Sequence, residues 1–266
     1  MISAERAIKT LRRDLTISTV MRAVLFGGLF AAATVGTVTG AGMYAVAILL
    51  GLSVAWAVVS MQAARRSYLT EDSTSLIASG QFAEAEEQIE KDIRSFWQFK
   101  SVKLRGLHHL AVLRHAQRQW RESALLSQAL LRQRLSTMPA VARTTRLMLA
   151  DSLLELGDLA GAHHALLTMY AQRLSLNEAM NLMVVQLDYE SRIGAWQAML
   201  QNLPHKVQLA ELLPSPSAAR AQAMLALAAQ KTGKPDLAHW LTRRAELLVD
   251  INELTAHRPI LKQVWK

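Results

Sequence analysis

The sequence predicts an all-helical protein in which an N-terminal two-helix membrane hairpin leads into an α-solenoid of about five helix-turn-helix repeats. Three observations carry this expectation. Residues Ala23 to Ala64 contain no charged side chain over 42 positions. Beyond residue 70 a short motif returns at near-constant spacing. Apolar residues there follow a period of 3.6, with no alternating stretch of strand character.

The uncharged segment comes first. A single crossing needs about 20 apolar residues, whereas one straight helix over this stretch would run to roughly 63 Å against a hydrocarbon core of about 30 Å. The chain is therefore expected to turn back at Thr39-Gly40-Ala41-Gly42, where paired glycines make reversal cheap. Two crossings result, 23–39 and 43–64. Five Lys or Arg precede the first (Arg6, Lys9, Arg12, Arg13, Arg22), Arg65-Arg66 follow the second, and the turn has none, which puts both ends on the cytoplasmic side of an inner or plasma-type membrane. A cleaved secretory signal ending near Ala31-Ala32-Ala33 is the rival reading; the apolar run continues well past that point. Small residues recur every fourth position, Gly28, Ala32, Gly36 and Gly40 on one helix and Ala47, Gly51 and Ala55 on the other, a spacing that suits close packing within the hairpin or homo-oligomerisation through it. Gly40 to Ala45 spells a dinucleotide-binding fingerprint, but no strand precedes it and no acidic residue follows at the required distance.

Residues 1–22 are expected to form a basic amphipathic segment on the cytoplasmic side. Ala4, Ile8, Leu11 and Leu15 keep helical spacing while Arg6, Lys9, Arg12 and Arg13 take the other sides, so the segment reads either as an interfacial helix on anionic headgroups or as a flexible basic tail. An apolar content of 51% and a positive mean hydropathy of +0.13 agree with a lipid-embedded portion. The chain has no cysteine, which excludes disulfides, thiolate metal sites and a cysteine nucleophile. The net charge of +9 is not spread evenly: residues 91–146 hold twelve Lys or Arg against Asp92 and Glu122, and 67–90 hold six acidic residues and no basic one.

Residues 67–256 form the repeat region, with 257–266 left as a C-terminal tail. The recurring motif reads Gly80-Gln-Phe-Ala-Glu-Ala85, Arg118-Gln-Trp-Arg-Glu-Ser123, Gly157-Asp-Leu-Ala-Gly-Ala162, Gly194-Ala-Trp-Gln-Ala-Met199 and Gly233-Lys-Pro-Asp-Leu-Ala238, with steps of 38, 39, 37 and 39 residues. A glycine there ends helix A of each repeat in the left-handed conformation, and the small residue five positions later lets helix B approach closely. Helix starts are marked by Thr137-Met-Pro139, by Ser175 with Glu178 as a capping box, by Ser215-Pro216 and by Pro235. Pro204, Pro214 and Pro216 make residues 204–216 an interruption holding a short extra helix.

This pattern resembles the tetratricopeptide (TPR) superfamily. Gly80-Gln-Phe-Ala-Glu-Ala and Gly157-Asp-Leu-Ala-Gly-Ala follow its turn signature, and Leu110-Ala111, Leu149-Ala150 and Leu225-Ala226 stand where the family places a large and a small residue; Ser73, Leu187 and the non-glycine Arg118 depart from it. The resemblance implies a partner-binding groove lined by the A helices. In register, those positions are Arg105, His108, Val112 and His115 in the second repeat, then Thr144, Leu147 and Asp151 in the third. Asn181, Val184, Asp188 and Arg192 follow in the fourth, and Arg220, Ala223, Leu227 and Lys231 in the fifth. Val112 and His108 break the pattern of the family's chaperone-tail clamp. A shorter likeness, Ile193-Gly194-Ala195-Trp196 with Leu200, Leu203 and Pro204, resembles HemY-type proteins, which join a membrane hairpin to such repeats and are associated with tetrapyrrole synthesis.

Chemistry-bearing motifs are few. His108-His109 and His163-His164 are adjacent on helices and point apart, so neither pair shares a metal, and surface or half-buried histidines are expected. There is no Walker loop, nucleophile elbow or HExxH, and Trp120 and Trp196 occupy the turn-aromatic position as packing residues. Arg114, Arg118 and Arg121 are expected to form either a basic patch for headgroups or an acidic partner or an ordinary solvated face. The overall expectation is a non-enzymatic scaffold or assembly factor without cofactor or metal, whose partners are proteins and membrane lipids rather than nucleic acid. A membrane enzyme is the alternative, and it needs a pocket with convergent polar groups.

Overall fold

Helices account for nearly all of the regular structure in the computed structural model, which describes residues 2–38, 72–94, 100–133, 135–257 and 259–265 with isolated positions 47, 51, 54, 58 and 61. No strand occurs among the described residues. The chain divides into two compact units, 1–142 and 143–266, and the division falls inside one helix.

The first unit holds α1 (Ala4–Val38), α2 (Asp72–Ala78), α3 (Phe82–Arg94), α4 (Lys100–Ala116), α5 (Trp120–Leu131) and the start of α6 (Pro139–Glu155). The second holds the rest of α6, then α7 (Leu159–Tyr170), α8 (Leu176–Arg192), α9 (Trp196–Met199), α10 (Leu203–Glu211), α11 (Ser215–Lys231), α12 (Pro235–Glu246), α13 (Ile251–His257) and a 3-10 turn, Pro259–Gln263. All five motif positions close a helix with positive φ: Gly80 at 78°, Arg118 at 61°, Gly157 at 79°, Gly194 at 74° and Gly233 at 72°. Arg118 adopts a conformation that disfavours side chains, so backbone geometry is conserved across the repeats where the residue type is not. The position five residues later, Ala85, Ser123, Ala162, Met199 and Ala238, is at most 3% exposed in every repeat.

Ser73 and Leu187, which depart from the family pattern, are fully buried like Ala111, Ala150 and Ala226 at the matching positions. Ser73 fits because its hydroxyl lies 2.7 Å from Nδ1 of His109 on α4. The capping box forms as expected: Ser175 Oγ accepts from the Glu178 amide at 3.3 Å, and Glu178 Oε2 accepts from the Ser175 amide at 2.8 Å. The fourth B helix is broken after one turn at Asn202, itself at φ 53°, and the extra helix α10 follows.

Three expectations about the ends of the chain are corrected. The N-terminal segment is neither a tail nor an interfacial helix with its apolar side free: α1 continues unbroken from residue 4 to 38, and Ala4, Ala7, Leu11, Asp14 and Ser18 form a buried stripe, with α1 packing on α4 and α5. Ile8 and Leu15 are only half-buried, so the burying face is rotated from the one periodicity suggested. The boundary at residue 22 is therefore no domain boundary. The last ten residues are not a tail either; Leu261 and Val264 are buried against α11, and Gln230 Nε2 donates to the Val264 carbonyl at 2.9 Å, closing the open apolar side of the fifth repeat.

Among the described residues no helix is long and apolar enough to cross a membrane. The turn at 39–42 and, apart from the isolated positions above, the second expected crossing lie outside the described residues. The side chains described in the uncharged part of α1 include Val24, Phe26 and Phe30, exposed by 64, 70 and 74%.

Candidate functional site

Two clusters of charge are built into the repeats, one in each unit. In the first, Arg114 on α4 is 1% exposed, and its guanidinium is surrounded by acceptors. It donates to Glu86 Oε1 on α3 at 2.8 Å, to the Ile2 carbonyl at 2.8 Å and to Gln117 Oε1 at 2.7 Å, while Glu122 Oε2 on α5 lies 3.1 Å from Nε. The Ile2 amide donates in turn to Glu86 Oε1 at 3.2 Å. Burial works to raise the Glu86 carboxyl, but Arg114 and the Ile2 amide outweigh it and hold the group below its usual range. A second buried pair lies further along α1: Lys103 Nζ on α4 is 2.9 Å from Asp14 Oδ2, and Lys103 also donates to the Ile93 carbonyl. Both pairs fasten the first turns of α1 to the repeats.

Arg114 is thus not part of a basic patch, which corrects the grouping of Arg114, Arg118 and Arg121. The turn at Arg118 separates α4 from α5, so the three residues do not share one helix, and only Arg118 and Arg121 are exposed.

His108 and His109, expected at the surface or half-buried, are corrected to the interior, at 8 and 7% exposed. Burial pushes His108 down to about 4, helped by the neighbouring His109; burial does the same to His109, helped by the charge of Arg105. Both are neutral in the folded protein at pH 7. An unfolded chain takes up protons on them from about pH 6.5, whereas the folded one does so only near 4. Stability is therefore expected to fall as pH drops from 6.5 toward 4, by about 1.4 kcal/mol per histidine for each pH unit once the unfolded histidines are protonated. Urea unfolding midpoints at pH 7 and 5 check this, and a drop no smaller in His108→Gln than in the parent would assign the acid sensitivity elsewhere. His163 and His164 are exposed as expected, and His163 stacks on Tyr189 with centroids 5.4 Å apart.

In the second unit the structure brings together four of the expected groove residues. Arg220 on α11 donates to Asp151 Oδ1 on α6 at 2.8 Å and to Asp188 Oδ2 on α8 at 2.7 Å. Asp188 Oδ1 also accepts from Arg192 Nε at 3.1 Å, and Arg192 reaches Glu155 and, at 2.6 Å, the Leu154 carbonyl. Burial opposes the charge on Arg220, yet the carboxylates of Asp151 and Asp188 outweigh it and hold the guanidinium protonated. These groups tie three A helices together, so Asp151 and Asp188, at 6 and 1% exposed, are corrected from open groove positions to internal links. Leu147, Val184, Ala223 and Leu227 are core residues. Thr144, Asn181 and Lys231 remain exposed, and Arg192 and Arg220 half-buried, in the second unit; Arg105, Val112 and His115 are half-buried in the first. His115 meets the ring of Trp120 edge-on at 5.1 Å.

Sequence reasoning missed Lys103, Asp14 and Glu86. Only Asp14 carries a signal, a lone acid on the apolar stripe of a basic segment. Among the described residues no cluster of His, Asp and Glu is arranged to hold a metal ion. Compared with known protein families, with characterised proteins and with solved structures, the chain matches none.

Proposed function

We propose that this protein is a membrane-anchored interaction scaffold of tetratricopeptide-like build, held by crossings at 23–39 and 43–64 and offering its A-helix surfaces to a protein partner on the cytoplasmic side. The observation that carries the reading is the exposure of Val24, Phe26 and Phe30 within 42 uncharged residues. Large apolar groups concentrated on one helix in water are costly, and a bilayer removes that cost. Val54, Val58 and Met61, at 56, 50 and 61% exposed, extend the same character to the second proposed crossing. The unbroken course of α1 bears on how the anchor works: a helix whose first turns are fastened by Arg114 and Lys103 and whose later turns enter lipid is a stalk, and the helices of the first unit packed on it keep a fixed orientation to it.

With Asp151 and Asp188 consumed internally, the partner surface in the second unit consists of Thr144, Asn181 and Lys231 with the accessible edges of Arg192 and Arg220. Reporter fusions at residue 41 and after residue 266 are expected to lie on opposite sides of the membrane, the C-terminus being cytoplasmic, and the chain should stay in the pellet after carbonate extraction. A chain released by carbonate, or a C-terminus on the far side, would sink the proposal.

A further inference from the structure

Exposed apolar side chains are scattered over the second unit, but three large ones meet at one place on its last repeat. Leu247, 86% exposed, is the most exposed large apolar side chain among the described residues, and Trp240 and Leu212 are 45 and 61% exposed. Trp240, Arg244 and Leu247 are spaced by four and three and share a face of α12, whose helical dihedrals continue through Leu247. Arg244 joins that face to α10: its Nη2 donates to Glu211 Oε1, and Leu212 follows directly in the chain. The guanidinium carbon of Arg244 also lies 4.9 Å from the centroid of the Trp240 ring. Single exposed leucines need no explanation, whereas Trp, Leu and Arg grouped around one ion pair have the make-up of an interface centre.

We propose that this face is a contact between two copies of the chain, packed about a two-fold axis. Such a contact sets a patch against itself, so the patch must be complementary to its own charge pattern. The centre of this one holds a cation and an anion side by side, with apolar residues on both elements that carry them. Arg244 and Glu211 are joined through one nitrogen and one oxygen, and among the described residues Nη1 of the first and Oε2 of the second have no bond. Their side chains are 33 and 48% exposed, so both can be reached from outside. The two-fold brings Arg244 of each copy to Glu211 of the other. The four charges then alternate, while Trp240, Leu247 and Leu212 exclude water around them. An anionic lipid surface or a partner of one sign would instead set a like charge against Glu211 or Arg244. The contact uses the second unit alone and does not depend on the anchor.

The test is the mass of the full chain in a non-ionic detergent, followed by analytical ultracentrifugation over a range of concentrations. The parent is expected to be a dimer that dissociates on dilution. Leu247→Asp should weaken it about a hundredfold, roughly tenfold for each of the two copies that lose an apolar contact. Its helical circular dichroism and urea midpoint should match the parent, since Leu247 touches so little of its own chain. Arg244→Glu and Glu211→Arg should each be monomeric, because either change sets like charges against each other across the axis. The decisive sample is an equal mixture of these two variants, one enlarged by a fused domain so that the mixed species is told apart by mass. Opposite charges then face each other again, and a dimer with one chain of each kind should form, an outcome that a pairing within one chain cannot give. A monomeric parent, in which the patch serves another protein or a lipid surface, overturns the proposal. A dimer that Leu247→Asp leaves intact is held elsewhere, as through the uncharged segment, and overturns it too. A mixture that stays monomeric overturns the two-fold pairing of Arg244 with Glu211.

Discussion

Arg114→Leu should destabilise the first unit by about 3–5 kcal/mol, because it removes the cation from a buried cluster and leaves its acceptors without it. Glu86 and the Ile2 carbonyl lose bonds of 2.8 Å, and Glu122 loses its neighbour at 3.1 Å. The penalty is that of a stranded carboxylate in a desolvated place, so it should shrink when the carboxylate goes too. Arg114→Leu with Glu86→Leu is expected to recover a large part of the loss. Since Ile2 hangs on the same guanidinium, the single variant should also loosen the first turn of α1, giving faster proteolysis there than at the C-terminal end. Urea unfolding of the full chain in detergent supplies the first measurement and mass mapping of early cleavage the second. A loss under about 1 kcal/mol, the usual effect of an exposed charge, would mean that Arg114 is hydrated after all.

What the sequence disclosed and what it hid follow from the range of the interactions concerned. The repeat turns were legible because a left-handed residue closing a helix has a local signature, and Arg118 was found despite lacking that signature because its neighbours fixed the register. The register then assigned the A helices correctly; exposure was another matter. Arg114, Arg118 and Arg121 looked like a patch because their spacings of four and three suit a single helix, although the turn at Arg118 had already divided them between two. His108 and His109 looked polar and hence superficial, while the Ser73 hydroxyl that accommodates His109 lies 36 positions earlier. The docking of α1 depends on Asp14 meeting Lys103 and on Ile2 meeting Arg114, contacts about ninety and a hundred and twelve residues apart that no periodicity encodes.

One long-range feature was readable once the register was known. Asp151 and Asp188 both stand six residues before their turn glycines, and Glu155 and Arg192 both stand two before. Stacked repeats bring equivalent positions side by side, so the second pair is complementary and the first is repulsive unless a cation lies between its members. Arg220 is that cation, contacting both carboxylates through one nitrogen at 2.8 and 2.7 Å. Arg220→Met keeps much of the volume and removes the charge, and it is expected to cost about 3–5 kcal/mol at pH 7. Arg192 still neutralises Asp188 in part at 3.1 Å, so the uncompensated burden falls chiefly on Asp151. Asp151→Asn in the Arg220→Met background should recover stability, because it removes one of the two repelling charges, the two changes being non-additive. Urea midpoints for the four chains of this cycle decide the matter. A penalty untouched by Asp151→Asn would reduce Arg220 to a packing residue and leave the two aspartates without a physical reason to share a register.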